Sequence, residues 1–135
     1  MIDRKIISQI QKALSKESSV IACYALGSII SGNAKVDSDF DLAIVVKKKQ
    51  TTTESQIYDL IAGISFPKDL DLSVVNKDSS PVFLFQIIST GLCLYQKSAQ
   101  DKISFEAFVM KNYYDTSHIR NIYYSYLKDK FPYAS

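Results

Sequence analysis

Polar and apolar positions alternate along the chain in short blocks whose period changes from element to element. Ile2, Ile6, Ile7, Ile10, Ala13 and Leu14 recur at the three-and-four spacing of a helix with one apolar face, and "KESS" closes it. "VIACYAL" is a dense apolar run bounded by Gly27, which predicts a buried strand. In "DFDLAIVV", Phe40, Leu42, Ile44 and Val46 alternate as one face of a second strand. "ESQIYDLIAGI" sets Ile57, Leu60, Ile61 and Ile64 on a helical stripe, with Pro67 as its expected stop. "LDLSVV" sets Leu70, Leu72 and Val74 against Asp71, Ser73 and Val75, the period of a third strand.

Ser80 as N-cap, Pro81 at the first helical position and Gly91 as a stop frame a short apolar helix. "LCLYQ" reads as a brief fourth strand, and from about Asp101 a helical pattern runs to Lys130 with a break expected near "YYDTS". Only "PYAS" is expected to fray. Ile119, Tyr123, Tyr126 and Leu127 form a stripe expected to pack against the chain's own core. Tyr113 and Tyr124 point elsewhere and are candidates for a partner-docking surface. His118 and Arg120 are expected in surface or capping roles. The order of elements, without repeats or interior linkers, predicts one α/β (α+β) domain over residues 1–135, a small mixed sheet flanked by helices.

Composition narrows the function classes. With 135 residues, 47% hydrophobic and 22% charged, the chain can bury a core and falls outside the disordered, collagen-like and coiled-coil classes. A net charge of +2 with dispersed basic residues gives no electrostatic case for direct nucleic-acid binding. Lys47, Lys48 and Lys49 form the one dense basic patch, read as a solvated loop, with attraction of a polyanion such as a nucleotide tail as the alternative. No apolar run reaches the roughly eighteen residues of a membrane span, and the N-terminus is unlike a secretion signal, so a cytoplasmic location away from membranes is expected. Cys23 and Cys93 each lie in an apolar stretch and read as buried free thiols.

The candidate chemistry lies between the first two strands, in "ALGSIISGNAKVDSDFDLAIVV". "GSIISGNA" starts like a phosphate loop, but Asn33 and Ala34 stand where Lys and Ser or Thr are required. "DSDFDL" starts like a calcium loop, but Leu42 replaces the turn glycine and Lys48 the bidentate glutamate. What remains is Gly27-Ser28, ten residues, then Asp39-Phe40-Asp41. On a strand, Asp39 and Asp41 share a face, and their charges repel unless a cation sits between them. Mg²⁺ suits such a pair, because it uses one or two carboxylates, waters and substrate phosphates. Asp71, at an alternating position of another predicted strand, could complete three carboxylates holding two ions about 4 Å apart for in-line displacement at phosphorus. Gly27 lets backbone approach a phosphate, and Ser28 offers a hydroxyl at an expected helix start. Together these parts point to nucleotidyl transfer.

With its Gly-Ser, ten residues, Asp-x-Asp pattern, the chain resembles the minimal nucleotidyltransferases of the DNA polymerase β superfamily, and more closely the MntA-type antitoxins that pair with HEPN-domain HepT toxins. The similarity runs from the first helix through "DLDLSVVN" and "SPVFLFQIISTGLCLYQ" to "FEAFVMKNYYDTSHIRNIYYSYLKDKF". It implies the polymerase β-like fold and transfer of AMP from ATP to a tyrosine of the toxin, silencing its RNase. It also implies that Gly27, Ser28 and Ser38 contact the nucleotide and that Asp39 and Asp41 bind both Mg²⁺ ions. Asp71 would bind the catalytic ion and help deprotonate the acceptor hydroxyl. Asp69, on the same strand face, is the rival for that third place. The partners implied are the toxin and ATP, in a homodimer or a hetero-oligomer with the toxin.

The pattern departs from many relatives in one respect: "IIS" precedes Gly32 where they carry an Arg, and Lys35 is the nearest possible substitute. Two other readings therefore stand beside the transferase. One is an antitoxin that acts by binding alone; the other is transfer to a small molecule, for which the roughly sixty residues after Asp71 leave little room for an acceptor domain.

Overall fold

The computed structural model describes residues 3–27, 40–66 and 69–130. In chain order these form α1 (Arg4–Leu14), β1 (Val20–Leu26), β2 (Phe40–Val46), α2 (Glu54–Ile61), β3 (Leu70–Val75), α3 (Pro81–Thr90), β4 (Leu92–Gln96), α4 (Ala99–Asp115) and α5 (Ser117–Lys130). The strands make one mixed sheet in the order β3-β2-β1-β4. β1 runs antiparallel to both β2 and β4, and β2 runs parallel to β3. This is the α+β arrangement expected from the order of elements.

Strand periodicity divides the core between the two faces of the sheet. Cys23, Ala25, Leu42, Ile44, Leu72 and Val74 face one way and pack with Ile10 and Leu14 of α1 and Ile57 and Ile61 of α2. Ala22, Tyr24, Ala43, Val45 and Val75 face the other way and pack with Leu84 and Ile87 of α3 and Phe105 and Val109 of α4. Cys23 and Cys93 pack on opposite faces of neighbouring strands, and both thiols are free; Cys23 is buried and Cys93 half-buried.

Local chemistry sets the helix ends. The Asp3 side chain accepts from Lys5 N–H to cap α1, and Thr53 and Gln56 form a reciprocal capping box on α2. Helix α2 stops at Ile61, with Ala62 as C-cap and Gly63 after it, rather than running on to Pro67, which lies outside the described residues. Ser80 caps α3, Pro81 follows, and the Gly91 N–H closes the helix on the Ile87 carbonyl. A side chain at Gly91 would run into that carbonyl and come within 3.1–3.2 Å of Leu26 and Tyr24, so crowding selects glycine here.

The break near "YYDTS" falls at Thr116, between α4 and α5. Arg120 fixes it: its guanidinium donates to the Tyr113 carbonyl at 2.7 Å and to Thr116 Oγ1 at 2.6 Å, and stands 3.9 Å from the Tyr113 ring centroid. Tyr113 in turn is half-buried and stacks on Phe85 of α3 at 4.0 Å, which ties the corner to α3. The expectation that Ile119, Tyr123 and Tyr126 pack on the core is overturned. They are 67%, 57% and 55% exposed, because α5 leaves the sheet after Thr116 and buries no residue of its own.

Candidate active site

Three strand ends converge on the α3 side of the sheet. Asp41 lies opposite Leu26 at the end of β1 and opposite Asp71 on β3. In a parallel ladder partnered residues share a face, so the two carboxylates project side by side. The polar side of β2 and β3 turns apolar farther along, through Ala43, Val45 and Val75, where α3 and α4 cover it. Both acids therefore sit at the mouth, Asp41 half-buried and Asp71 exposed.

Gly27 ends β1 at a φ of +76°, a conformation that glycine adopts without strain. A β-carbon there would lie 3.3 Å from Asp41 Oδ2. Strand β1 thus ends beside the Asp41 carboxylate, and the missing side chain keeps that approach open.

Asp41, Asp71 and Ser73 form the strand side of a cavity of about 220 Å³, Leu26 and Gly27 lie at the β1 end, and Phe83 and Gln86 form the helix side. Asp69 lies just before β3 and is exposed; its carbonyl accepts from Phe40 N–H at 2.7 Å, and its side chain is not in the cavity lining. Of the sequence candidates, then, Gly27, Asp41 and Asp71 come together. Ser28, Ser38 and Asp39 lie outside the described residues, as does Lys35.

Sequence reasoning missed Ser73, Phe83 and Gln86. Ser73 carried a signal, since it follows Asp71 by two positions on the same strand face. Phe83 and Gln86 carried none, because only the folding of α3 back across β1 brings them to the acids.

A larger cavity, about 520 Å³, lies beside β4 between Gln11, Cys93, Tyr95 and Lys102. Three of its polar side chains are engaged within the fold: Gln11 donates to the Leu94 carbonyl, the Cys93 thiol to the Tyr95 carbonyl, and Lys102 pairs with Glu106 at 2.8 Å. Burial pushes the Cys93 thiol above its ordinary range, which disfavours a nucleophilic thiolate. Size alone therefore does not mark the site.

Among the described residues no group of three or more His, Cys, Asp or Glu gathers to hold a metal. Two carboxylates with a hydroxyl and a carboxamide at hand nevertheless make an oxygen-only donor set, which fits a hard divalent ion such as Mg²⁺ and disfavours a soft one. Among the described residues no helix is long and apolar enough to cross a membrane.

The fold is similar to several solved structures. A toxin–antitoxin complex with AMP-PNP superposes with a TM-score of 0.68 at 21% identity, covering 91% of this chain and 96% of the other. The MNT antitoxin in complex with a tri-AMPylated HEPN toxin of Shewanella oneidensis gives 0.66 at 19%, covering 95% and 98%. An MntA–HepT toxin–antitoxin structure gives 0.64 at 18%, covering 94% and 97%. No curated protein sequence matches the chain significantly. The profile of the "Polymerase beta, Nucleotidyltransferase" family matches residues 8–100, a span that runs from α1 through the sheet and the acidic cavity, and the chain belongs to that nucleotidyltransferase family.

Proposed function

We propose that the chain is a protein adenylyltransferase that moves AMP from ATP to a tyrosine of a HEPN-type toxin and acts as that toxin's antitoxin. The observation that carries the reading is the in-register pair Asp41 and Asp71 beside the side-chain-free Gly27 turn. It is supported by AMP-PNP in one structural neighbour and the AMPylated toxin in another.

In this reading the tyrosine oxygen forms a bond to the α-phosphorus of ATP as the bond to the bridging oxygen breaks, and pyrophosphate leaves. The phenolic proton passes to Asp71, which stands at the mouth where an acceptor can reach it. Gly27, with Ser28 after it, lets backbone approach the phosphates closely. Asp41 and Asp71, with Asp39, would hold Mg²⁺, whose charge when bound offsets that of the triphosphate and the departing pyrophosphate. Ser38 is a further nucleotide contact. Positioning and charge neutralisation carry most of the catalysis in phosphoryl-type transfers, which suits a chain with so few reactive groups.

The test is the intact mass of a HEPN-type toxin after incubation with the full chain, ATP and Mg²⁺. A gain of one or more AMP units is expected, with the adduct on tyrosine. An unchanged mass in a tight complex would replace this reading with the binding-only antitoxin, which the missing Arg before Gly32 favours.

A further inference from the structure

We infer that Phe83 and Gln86 form the acceptor wall of this same site: the ring of Phe83 stacks on the incoming tyrosine and the Gln86 carboxamide steadies its hydroxyl beside Asp71. The inference rests on the adenylyltransferase reading above.

Helix α3 is a fixed wall. Ser80 and Pro81 set its start, Gly91 its end, and the fully buried Leu84 and Ile87 lock its rotation against the sheet. Phe83 and Gln86 each precede one of these anchors and lie three apart, so both emerge along the same edge of the helix. That edge is the one that meets Asp41 and Asp71 in the cavity. Phe83 is half-buried, held by packing with the core, whereas Gln86 is exposed and can reorient toward a ligand.

Two considerations assign this wall to the acceptor. In-line displacement puts the attacking oxygen opposite the leaving pyrophosphate. If Gly27 and Ser28 hold the phosphates, the atom that loses its proton must enter on the Asp71 side of the cavity, within about 2.6–3.2 Å of that carboxylate. The chemistry of the wall also fits. The helix side of the cavity pairs the Phe83 ring with the Gln86 carboxamide, an apolar and a polar group that match the ring and the hydroxyl of a phenol. Stacked or edge-on aromatic pairs add attraction beyond the area they bury, and a carboxamide can donate to a phenolic oxygen while it also accepts.

The experiment is steady-state AMP transfer to the HEPN-type toxin by the full chain, with ATP and toxin varied separately, for Phe83→Leu, Phe83→Tyr and Gln86→Ala. Phe83→Leu and Gln86→Ala are expected to raise KM for the toxin about 5- to 10-fold and to leave KM for ATP within about twofold. Phe83→Tyr, which keeps the ring, is expected to retain the parent KM for the toxin. Gln86 is exposed, so its variant folds whatever happens to Phe83→Leu; equal melting temperatures check both. A rise in KM for ATP with the toxin term unchanged would hand the wall to the nucleotide, and no change in either would remove it from the site. A parent chain that transfers no AMP overturns the adenylyltransferase reading and this inference together, an outcome distinct from the other two.

Discussion

Asp41 and Asp71 stand opposite each other across the parallel β2–β3 ladder, on the face where α3 closes a small cavity. Neighbouring strands lie about 5 Å apart, which brings the two side chains together at the mouth of that cavity.

Removing either charge separates binding from folding. Asp41→Asn and Asp71→Asn are each expected to lower AMP transfer at least about 100-fold in chains that still unfold cooperatively. Asp69→Asn, whose side chain is absent from the cavity lining, is expected to transfer AMP within about threefold of the parent. Intact-mass kinetics and melting curves on the same preparations check all three. Equal losses at Asp69 and Asp71 would leave the ladder geometry without a functional meaning.

Gly27→Ala tests the turn. An alanine at a φ of +76° costs about 1–2 kcal/mol, and its β-carbon would press on Asp41 Oδ2 at 3.3 Å. Urea unfolding should show that loss, and AMP transfer should fall more steeply than stability because the carboxylate is displaced. A variant as stable as the parent would mean that β1 can turn at Gly27 with a negative φ.

Tyr24 predicts an alkaline limit. It is 2% exposed and its hydroxyl has no partner at normal hydrogen-bond geometry, although Glu106 lies close enough to act on it; burial, then the Glu106 charge, pushes its ionisation well above the ordinary phenol range. Burial pushes the Cys23 thiol up in the same way, with Cys93 adding to the effect. Both groups stay neutral in the folded chain, whereas the unfolded chain ionises them near the ordinary values of about 8.5 and about 10. The folded state then holds more protons, so stability is fully present below about pH 8 and falls as the pH rises through those values. Tyr24→Phe should be neutral or stabilising by about 1 kcal/mol at pH 7 and should flatten part of the alkaline loss, read from urea midpoints at pH 7, 9 and 10.5. Destabilisation of the Phe variant at pH 7 would show that the hydroxyl is bonded.

Arg120 predicts a local effect. Its two hydrogen bonds and its place over Tyr113 hold the α4–α5 corner, while α5 buries nothing. A fourteen-residue helix is marginal by itself in water. Arg120→Ala should therefore speed amide exchange through residues 117–130 about 10-fold or more and leave the sheet's protection unchanged. Loss of protection throughout the chain would mean that α5 is coupled to the core by contacts other than this corner.

Much of the fold follows from local rules that sequence obeys directly. The strand periods of "VIACYAL", "DFDLAIVV" and "LDLSVV" survive because each strand has one face against α1 and α2 and the other partly against α3 and α4. The caps at Ser80 and Gly91 are chemistry within a few residues of themselves. The period of two also put Asp41 and Asp71 on definable faces, although the pair read from the sequence was Asp39 and Asp41, of which Asp39 lies outside the described residues, with Asp71 as the third acid. The outlying end of α2 was not legible, since Ala62 and Gly63 released the chain before Pro67 could.

What sequence alone determined is therefore the set of elements, the phase of each strand and the chemical character of the acids, all properties of neighbouring residues. The tertiary structure decided which face α3 covers, and so that Phe83 and Gln86 meet Asp41 and Asp71. It decided that Asp71 rather than Asp69 lies in the cavity, because strand register fixes depth as well as face. It also decided that the aromatic stripe of α5 lies open: an amphipathic pattern specifies an apolar face but not what, if anything, covers it.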